Sequence, residues 1–491
     1  MYVTEGLASV RNELCRVFPQ EKESIEKFLR LMEAAKWQAG QYATFKMFPR
    51  WLAWLLSQTL CSSYIRYASL TTEEVLAPLT TDGRFKTVLS SFGGDLGESL
   101  GEGSFVMQAA VLGHIIEGCH YPEGGPVQFV RGLVPTIRSA GGDVLVSGKV
   151  AKILLDQRGQ RATGVQLVNG DEIKAKKGIV SDAGIRTTLR NLLPKDIVDG
   201  SLRPLMDAVS ENSGGISHVF AFVGLNASTT ELGLQSSSFY YIPWNQTDAE
   251  MDATVIQEYY RNTLLDSNVL DVSAGMVFCS AKDPIYSEST MPGRSTVIVF
   301  SEAKAEDFER FVDHSKPTKD GKHLRKKDYE DVKKLIEKKM IRSLLLNFPQ
   351  LEPHVDVVEI GTPLTVLDYT LRTESLGLRH TPGRMTNMEI RPDCAIKGLY
   401  FTGQDIAFAG WAGAMTGAMI TAQKLLGYTL LDFASGKTLM RDLGRGDVED
   451  MIQHHVKEAT RATAVEKLLE IAGNAYRHVQ RSMERKRASA S

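Results

Sequence analysis

Cysteine is sparse in this chain and never clustered. The five cysteines, Cys15, Cys61, Cys119, Cys279 and Cys394, are scattered through 491 residues, and the two nearest lie 46 positions apart. That spacing excludes zinc-knuckle and CxxC redox patterns, and the odd count argues against a disulfide framework, so a reducing compartment is expected. Net charge is equally scarce. With 57 Lys and Arg against 59 Asp and Glu the formal charge is −2, which offers a phosphate backbone no global field and removes nucleic acid from the expected partners. Also missing is any run of the roughly 18 to 20 apolar residues that a membrane span needs. The nearest, Met47 to Leu60, is interrupted by Arg50, Ser57 and Gln58. The first residues show neither a secretory core nor an Arg/Ser-rich transit pattern, so no targeting segment is read from them.

What is present is apolar material, 43% of the chain, enough for about two or three domains of roughly 150 residues each. From Glu21 to Lys36, Ile25, Phe28, Leu29, Met32 and Ala35 recur at three- and four-residue steps, which predicts one buried face of a helix. The aromatic-rich stretch Phe45 to Leu70 predicts a buried helix pair; the sharper alternative is an apolar wall or a helix at a membrane surface. Between Gly141 and Ser181 the texture turns to strands, with one expected over Val144 to Val150, a hairpin turn at Asn169-Gly170 and a buried strand in GIVSDAG. Apolar runs at Ser217 to Val223, Ala274 to Ser280 and Ser295 to Phe300 predict a second, mostly antiparallel sheet. The charge-dense stretch 302–340 predicts a solvated helix pair, and the stretch beyond Asp442 an amphipathic tail with a basic tip.

Two places carry chemistry. Leu399-Tyr400-Phe401 reads as a strand, Gly403-Gln404-Asp405 as a turn, and Ala409 to Leu426 as a helix rich in small residues. Gly410, Gly413, Ala414 and Gly417 leave one side nearly bare, so a large flat group could approach an N-terminus that favours negative charge. Asp405, at the strand end, suits hydroxyl groups as an acidic residue does in dinucleotide folds. The second place is Tyr121 to Gly125, YPEGG, where glycines permit a sharp entry into the helix Val127 to Ala140.

The ordered set HYPEGGPVQFVRGLVPTIRSAGGDVLVSGKVAKILLD, GIVSDAG, RNLLP, SAKDP, PGRST, FPQLE, GTPLT and GLYFTGQDI resembles the retinol saturase-like flavoproteins of the phytoene desaturase and carotenoid isomerase superfamily, from about Phe18 to about Leu430. The resemblance implies a mixed α/β chain with a Rossmann-like FAD-binding domain of glutathione-reductase type and a helical and mixed-sheet substrate domain. It divides the chain into a helical part of the substrate domain (1–115), an FAD-binding segment (116–190), a mixed-sheet substrate domain (191–375), a C-terminal FAD-binding segment (376–430) and a helical tail (431–491). One departure is large: the strand, GxGxxG and helix with which the family begins has no match, so the FAD unit is expected to be N-terminally incomplete, and the chain as given is expected to retain little FAD.

By that resemblance Val150, at the end of its expected strand, borders adenine, and Ser181, Asp182 and Ala183 lie by the dinucleotide. Gly403, Gln404, Asp405, Gly410, Gly413 and Ala414 hold the ribityl chain and ring. Tyr121, Gly124, Gly125 and Trp411 border the substrate. No acid or base is assigned by a motif; His114 and Tyr121 are the proton-donor candidates. The implied activity is FAD-dependent saturation of a double bond in a retinoid or carotenoid polyene, with NAD(P)H a possible electron source. The alternatives are a carotenoid cis-trans isomerase or desaturase, and a non-catalytic remnant that binds apolar ligands. A lipid-like substrate points to peripheral membrane contact, at the endoplasmic reticulum or a plastid.

Overall fold

The computed structural model describes residues 5–59, 61–91, 96–243, 253–315 and 324–426. The apolar repeat near the N-terminus becomes helix α1 (Lys22–Met47), and Ile25, Phe28, Leu29, Met32 and Ala35 are all buried in one core cluster. The aromatic stretch that follows departs from the expected buried pair. On α2 (Arg50–Gln58) the three- and four-residue spacing that buries Ala53 and Ser57 turns Trp51 and Trp54 outward, 66% and 61% exposed. Tyr64 is buried, and its hydroxyl donates to the Met385 carbonyl at 2.7 Å. Helix α3 (Phe105–Ile116) packs on α1, Phe28 meeting Phe105 at 6.3 Å between ring centres.

Helix α4 (Val127–Ser139) buries no residue, and Val127, Val130, Leu133 and Ile137 run along its exposed side. The strand expected over Val144 to Val150 does not form. A strand needs a neighbour to take its amides; among the described residues none pairs with 144–148, only the Lys149 carbonyl being met, by the Val168 amide at 2.9 Å, and Val144, Leu145 and Val146 are exposed. Val150 therefore opens a strand instead of ending one. Strands β1 (Val150–Leu155), β2 (Ala162–Leu167) and β3 (Glu172–Lys174) make an antiparallel meander. Its second turn is the Asn169-Gly170 pair, with Gly170 at φ 95°. Strand β4 (Ile179–Ser181) is short, and Val180 is exposed instead of buried.

The second sheet is antiparallel throughout, in the order β6-β7-β8-β5-β9: β5 (Ser217–Leu225), β6 (Ser238–Tyr241), β7 (Ala274–Val277), β8 (Ser295–Ala303) and β9 (Val355–Gly361). Helix α5 (Ala253–Asn262) and the long α6 (Tyr329–Asn347) accompany it. On α6, Ile336, Met340 and Leu344 share a core with Val219, Ala221, Val223, Val297 and Val299 of the sheet. The helix pair expected over 302–340 is one helix and one short turn, Glu306–Glu309, because Phe308, Phe311 and Val312 fold into that core. Lys339 is buried with them, and its ammonium donates to the carbonyls of Thr263, Leu264 and Asp266 at 2.7–2.9 Å. Burial pulls it down to about 8.

Strand β10 (Leu399–Phe401) returns to pair in parallel with β4, and α7 (Gly410–Leu426) follows. No described helix is long and apolar enough to cross a membrane. The tail beyond Asp442 lies outside the described residues.

Candidate functional site

In a parallel pair both strands deliver their carboxyl ends to the same edge, and the loops that follow share one crevice. Here β4 runs out at Ser181-Asp182 and β10 at Gly403-Gln404. Gly403 adopts φ 84°, a region that favours glycine, and any added Cβ would collide with the Asp182 carboxylate. Ser181 is buried and its hydroxyl shares a 2.7 Å hydrogen bond with that of Thr188. Asp182 and Ala183 are exposed at the strand end. Although its tip meets solvent, partial desolvation by the surrounding chain pushes the Asp182 carboxyl above its ordinary range, with Arg372 pulling it down and Asp405 adding to the rise.

Helix α7 starts beside these ends. The small residues on its inner face meet this chain's own backbone: a Cβ on Gly413 would strike the Phe408 carbonyl, and one on Gly417 the Gly403 carbonyl. Both are buried, Ala414 is half-buried, and the bare surface read from the sequence is thus filled from within. The first turn differs. Gly410, at φ 80°, faces open space, and its amide donates to Gln404 Oε1 at 3.1 Å. The Ala409 amide donates to His380 Nε2 at 2.9 Å, while the next amides of the turn have no partner inside the helix.

Asp405 is 3% exposed. Its carboxylate accepts the amides of Ile185 at 2.9 Å and Leu378 at 3.2 Å, and Arg372 stands 3.8 Å away. It ties three segments of chain together beneath the crevice. Arg384, fully buried, closes the same turn from below by donating to the carbonyls of Leu378, Gln404, Asp405 and Ala407. Neighbouring His380 is fully buried too. Burial first, then the Arg384 charge, holds it well below its ordinary value, so the ring is neutral and Nε2 accepts.

The glycine loop approaches from the other side. Phe129 of α4 stacks on Trp411 of α7 at 4.0 Å and 30°, which joins the YPEGG segment to the start of α7. Gly124 (φ 79°) and Gly125 (φ 78°) take positive φ, and the Gly124 amide donates to Asp283 Oδ1 at 3.0 Å. The Tyr121 hydroxyl and the second Asp283 oxygen flank Gly125, each within 4.0 Å of where a Cβ would sit. Burial, then Cys279 and Asp283, push the Tyr121 phenol up, so it keeps its proton. His114 sits exposed on the last turn of α3. Val150 pairs with Leu167 in the meander.

Sequence reasoning assigned no role to Asp283, His380 or Arg384. Asp283 did stand inside a recognised motif, SAKDP. A buried arginine, by contrast, looks in sequence like any surface one.

No family model matches the chain. Among solved structures, a putrescine oxidase aligns with 83% of this chain and 76% of its own, at 12% identity and a TM-score of 0.49. Curated relatives are nearer in sequence. A Danio rerio protein named inactive all-trans-retinol 13,14-reductase is 27% identical over 435 residues, 86% of this chain and 69% of that protein. The human all-trans-retinol 13,14-reductase is 30% identical over 424 residues, 83% of this chain and 66% of that protein. The Danio rerio all-trans-retinol 13,14-reductase is 31% identical over 439 residues, 87% of this chain and 70% of that protein. At that identity and coverage the chain belongs to the all-trans-retinol 13,14-reductase family.

Proposed function

We propose that the chain is an FAD-dependent oxidoreductase that saturates one double bond of a retinoid-type polyene. The observation that carries this reading is the Phe129–Trp411 stack, which brings the glycine loop and the first turn of α7 to the ends of a parallel strand pair. The residues fit FAD at that edge: Gly410 opens onto free space, Gln404 and His380 leave further first-turn amides to an anionic group, and Asp182 lies exposed beside Gly403. Gly413 and Gly417 take no part, since backbone occupies them.

FAD, when bound and reduced, supplies a hydride equivalent. The chain's own part is to orient the polyene, to exclude water and to deliver the proton that completes the added hydrogen pair. Tyr121, protonated and beside Gly125, is the donor this reading favours; His114 is exposed on another helix. The exposed Trp37, Trp51, Trp54 and Leu55 suit a peripheral lipid surface from which an apolar substrate is drawn. NAD(P)H is the reductant to try first.

The test gives the protein excess FAD, NAD(P)H or dithionite, and all-trans-retinol under anaerobic conditions, with mass spectrometry of the product. A gain of two hydrogens supports the reading. A product of unchanged mass and altered geometry favours an isomerase, and untouched retinol beside bound, reduced flavin overturns catalysis.

A further inference from the structure

The five-stranded sheet has two faces, and the core uses one. Along β5, Val219, Ala221 and Val223 point into the core with α6, whereas His218, Phe220 and Phe222 point the other way. The antiparallel register sets His218 opposite Glu302, Phe220 opposite Phe300 and Phe222 opposite Ile298, so these six side chains share the second face. Phe220 and Phe222 stack at 6.0 Å and 20°, and Tyr240 meets Phe300 edge-on at 6.3 Å. Phe300 lies flat across β7 because residue 275 is glycine; an added Cβ there would run into its ring. The result is an aromatic platform whose outer members, Phe222 and Tyr240, are nearly half exposed. From His218 to Phe222 it measures about 13 Å at ~3.3 Å per residue.

One end of the platform is polar. Arg261, on α5, stands with Nε 3.3 Å from Glu302 Oε2, yet that Nε makes no hydrogen bond. His218 is 6% exposed and lies 6.0 Å edge-on from Phe300. Among the described residues its ring has no hydrogen-bond partner. Burial, then the Arg261 charge, holds it at about 4. A neutral imidazole can donate one hydrogen bond and accept another, and within the chain neither is made, so the ring is free to pair with a ligand. Glu302 already balances Arg261, so a carboxylate would arrive as surplus charge, whereas an uncharged hydroxyl would not.

We infer that this face seats the polyene, the rod laid along the rings of Phe220, Phe222 and Phe300 and a terminal hydroxyl held at His218 and Arg261. The assignment rests on the retinoid reading above and adds the wall and the head-group contact. The experiment titrates the full chain with all-trans-retinol and with the matching hydrocarbon that lacks the hydroxyl, followed by ligand fluorescence. His218→Phe should raise the retinol Kd about tenfold, the worth of one hydrogen bond, and leave hydrocarbon affinity unchanged. Phe222→Ser, at the half-exposed edge of the stack, should weaken both ligands while its melting curve shows the variant folded. Equal effects of His218→Phe on the two ligands, or none, overturn the head-group contact, and unchanged binding to Phe222→Ser overturns the wall. Wild-type chain that binds neither ligand overturns the retinoid reading as well.

Discussion

His218 illustrates how one residue couples burial to charge. Its ordinary value near 6.5 falls to about 4 because burial strips water from an imidazolium and Arg261 repels it, while Glu302 opposite is engaged by Arg261. Between those two values the unfolded chain binds a proton that the folded chain refuses. Stability therefore falls as the pH drops from about 6.5 toward 4, by about 3 kcal/mol in full and about 2 kcal/mol at pH 5. Urea midpoints of wild type and His218→Phe at pH 7 and pH 5 test this. The variant should lose less stability on acidification, and equal losses would mean that another group titrates. Nothing in the bare sequence separates His218 from His114, which is exposed on its helix. Only the β5–β8 register, which sets the ring opposite Glu302, makes the difference.

At the scale of elements, glycine separates close packing from mere flexibility. Gly413→Ala would drive a Cβ into the Phe408 carbonyl, an atom of backbone that cannot rotate away, and should cost at least ~3 kcal/mol. Gly132→Ala sits on exposed α4 with nothing within 4 Å and should be stabilising by up to about 1 kcal/mol. Thermal melting of both variants decides, and a Gly413→Ala protein as stable as wild type would mean that α7 can shift off its turn. These two glycines also show what was legible. The run Gly410 to Gly417 announced a close approach, but sequence cannot say whether a ligand or the chain's own carbonyls make it, and here the outer turn is open while the inner turn is filled. Helix α1 was readable residue by residue because a 3.6-residue period records one face against one core. The strand over Val144 to Val150 was misread, since alternating apolar residues state a capacity to pair and not the presence of a neighbour. Trp51 and Trp54 misled for the same reason: aromatic content measures apolar area, and the side it faces is set by which residues a three-residue step turns inward.

For the molecule as a whole, the uncovered faces matter as much as the cores. Four clusters of buried side chains hold the described residues together, yet α4 contributes no buried residue although its apolar side is as regular as that of α1. Val127, Val130, Leu133 and Ile137 recur at helical spacing, and Leu145 and Val146 follow at 66% and 79% exposed. Each such side chain is worth roughly 1.5–3 kcal/mol when fully buried, so a face of this size in water drives association. The chain is therefore expected to self-associate through α4. Static light scattering should show a mass above that of one chain that grows with concentration. The double variant Val130→Ser, Leu133→Gln should bring it down without lowering the melting temperature, because neither side chain belongs to a core. A wild-type chain that stays monomeric over the same range would mean that the face is covered in solution. A variant that associates as strongly as wild type would move the contact elsewhere, to the exposed tryptophans of α2 or the aromatic platform of the second sheet. The retinol titration separates those two, since only a contact made through the platform would be displaced by ligand.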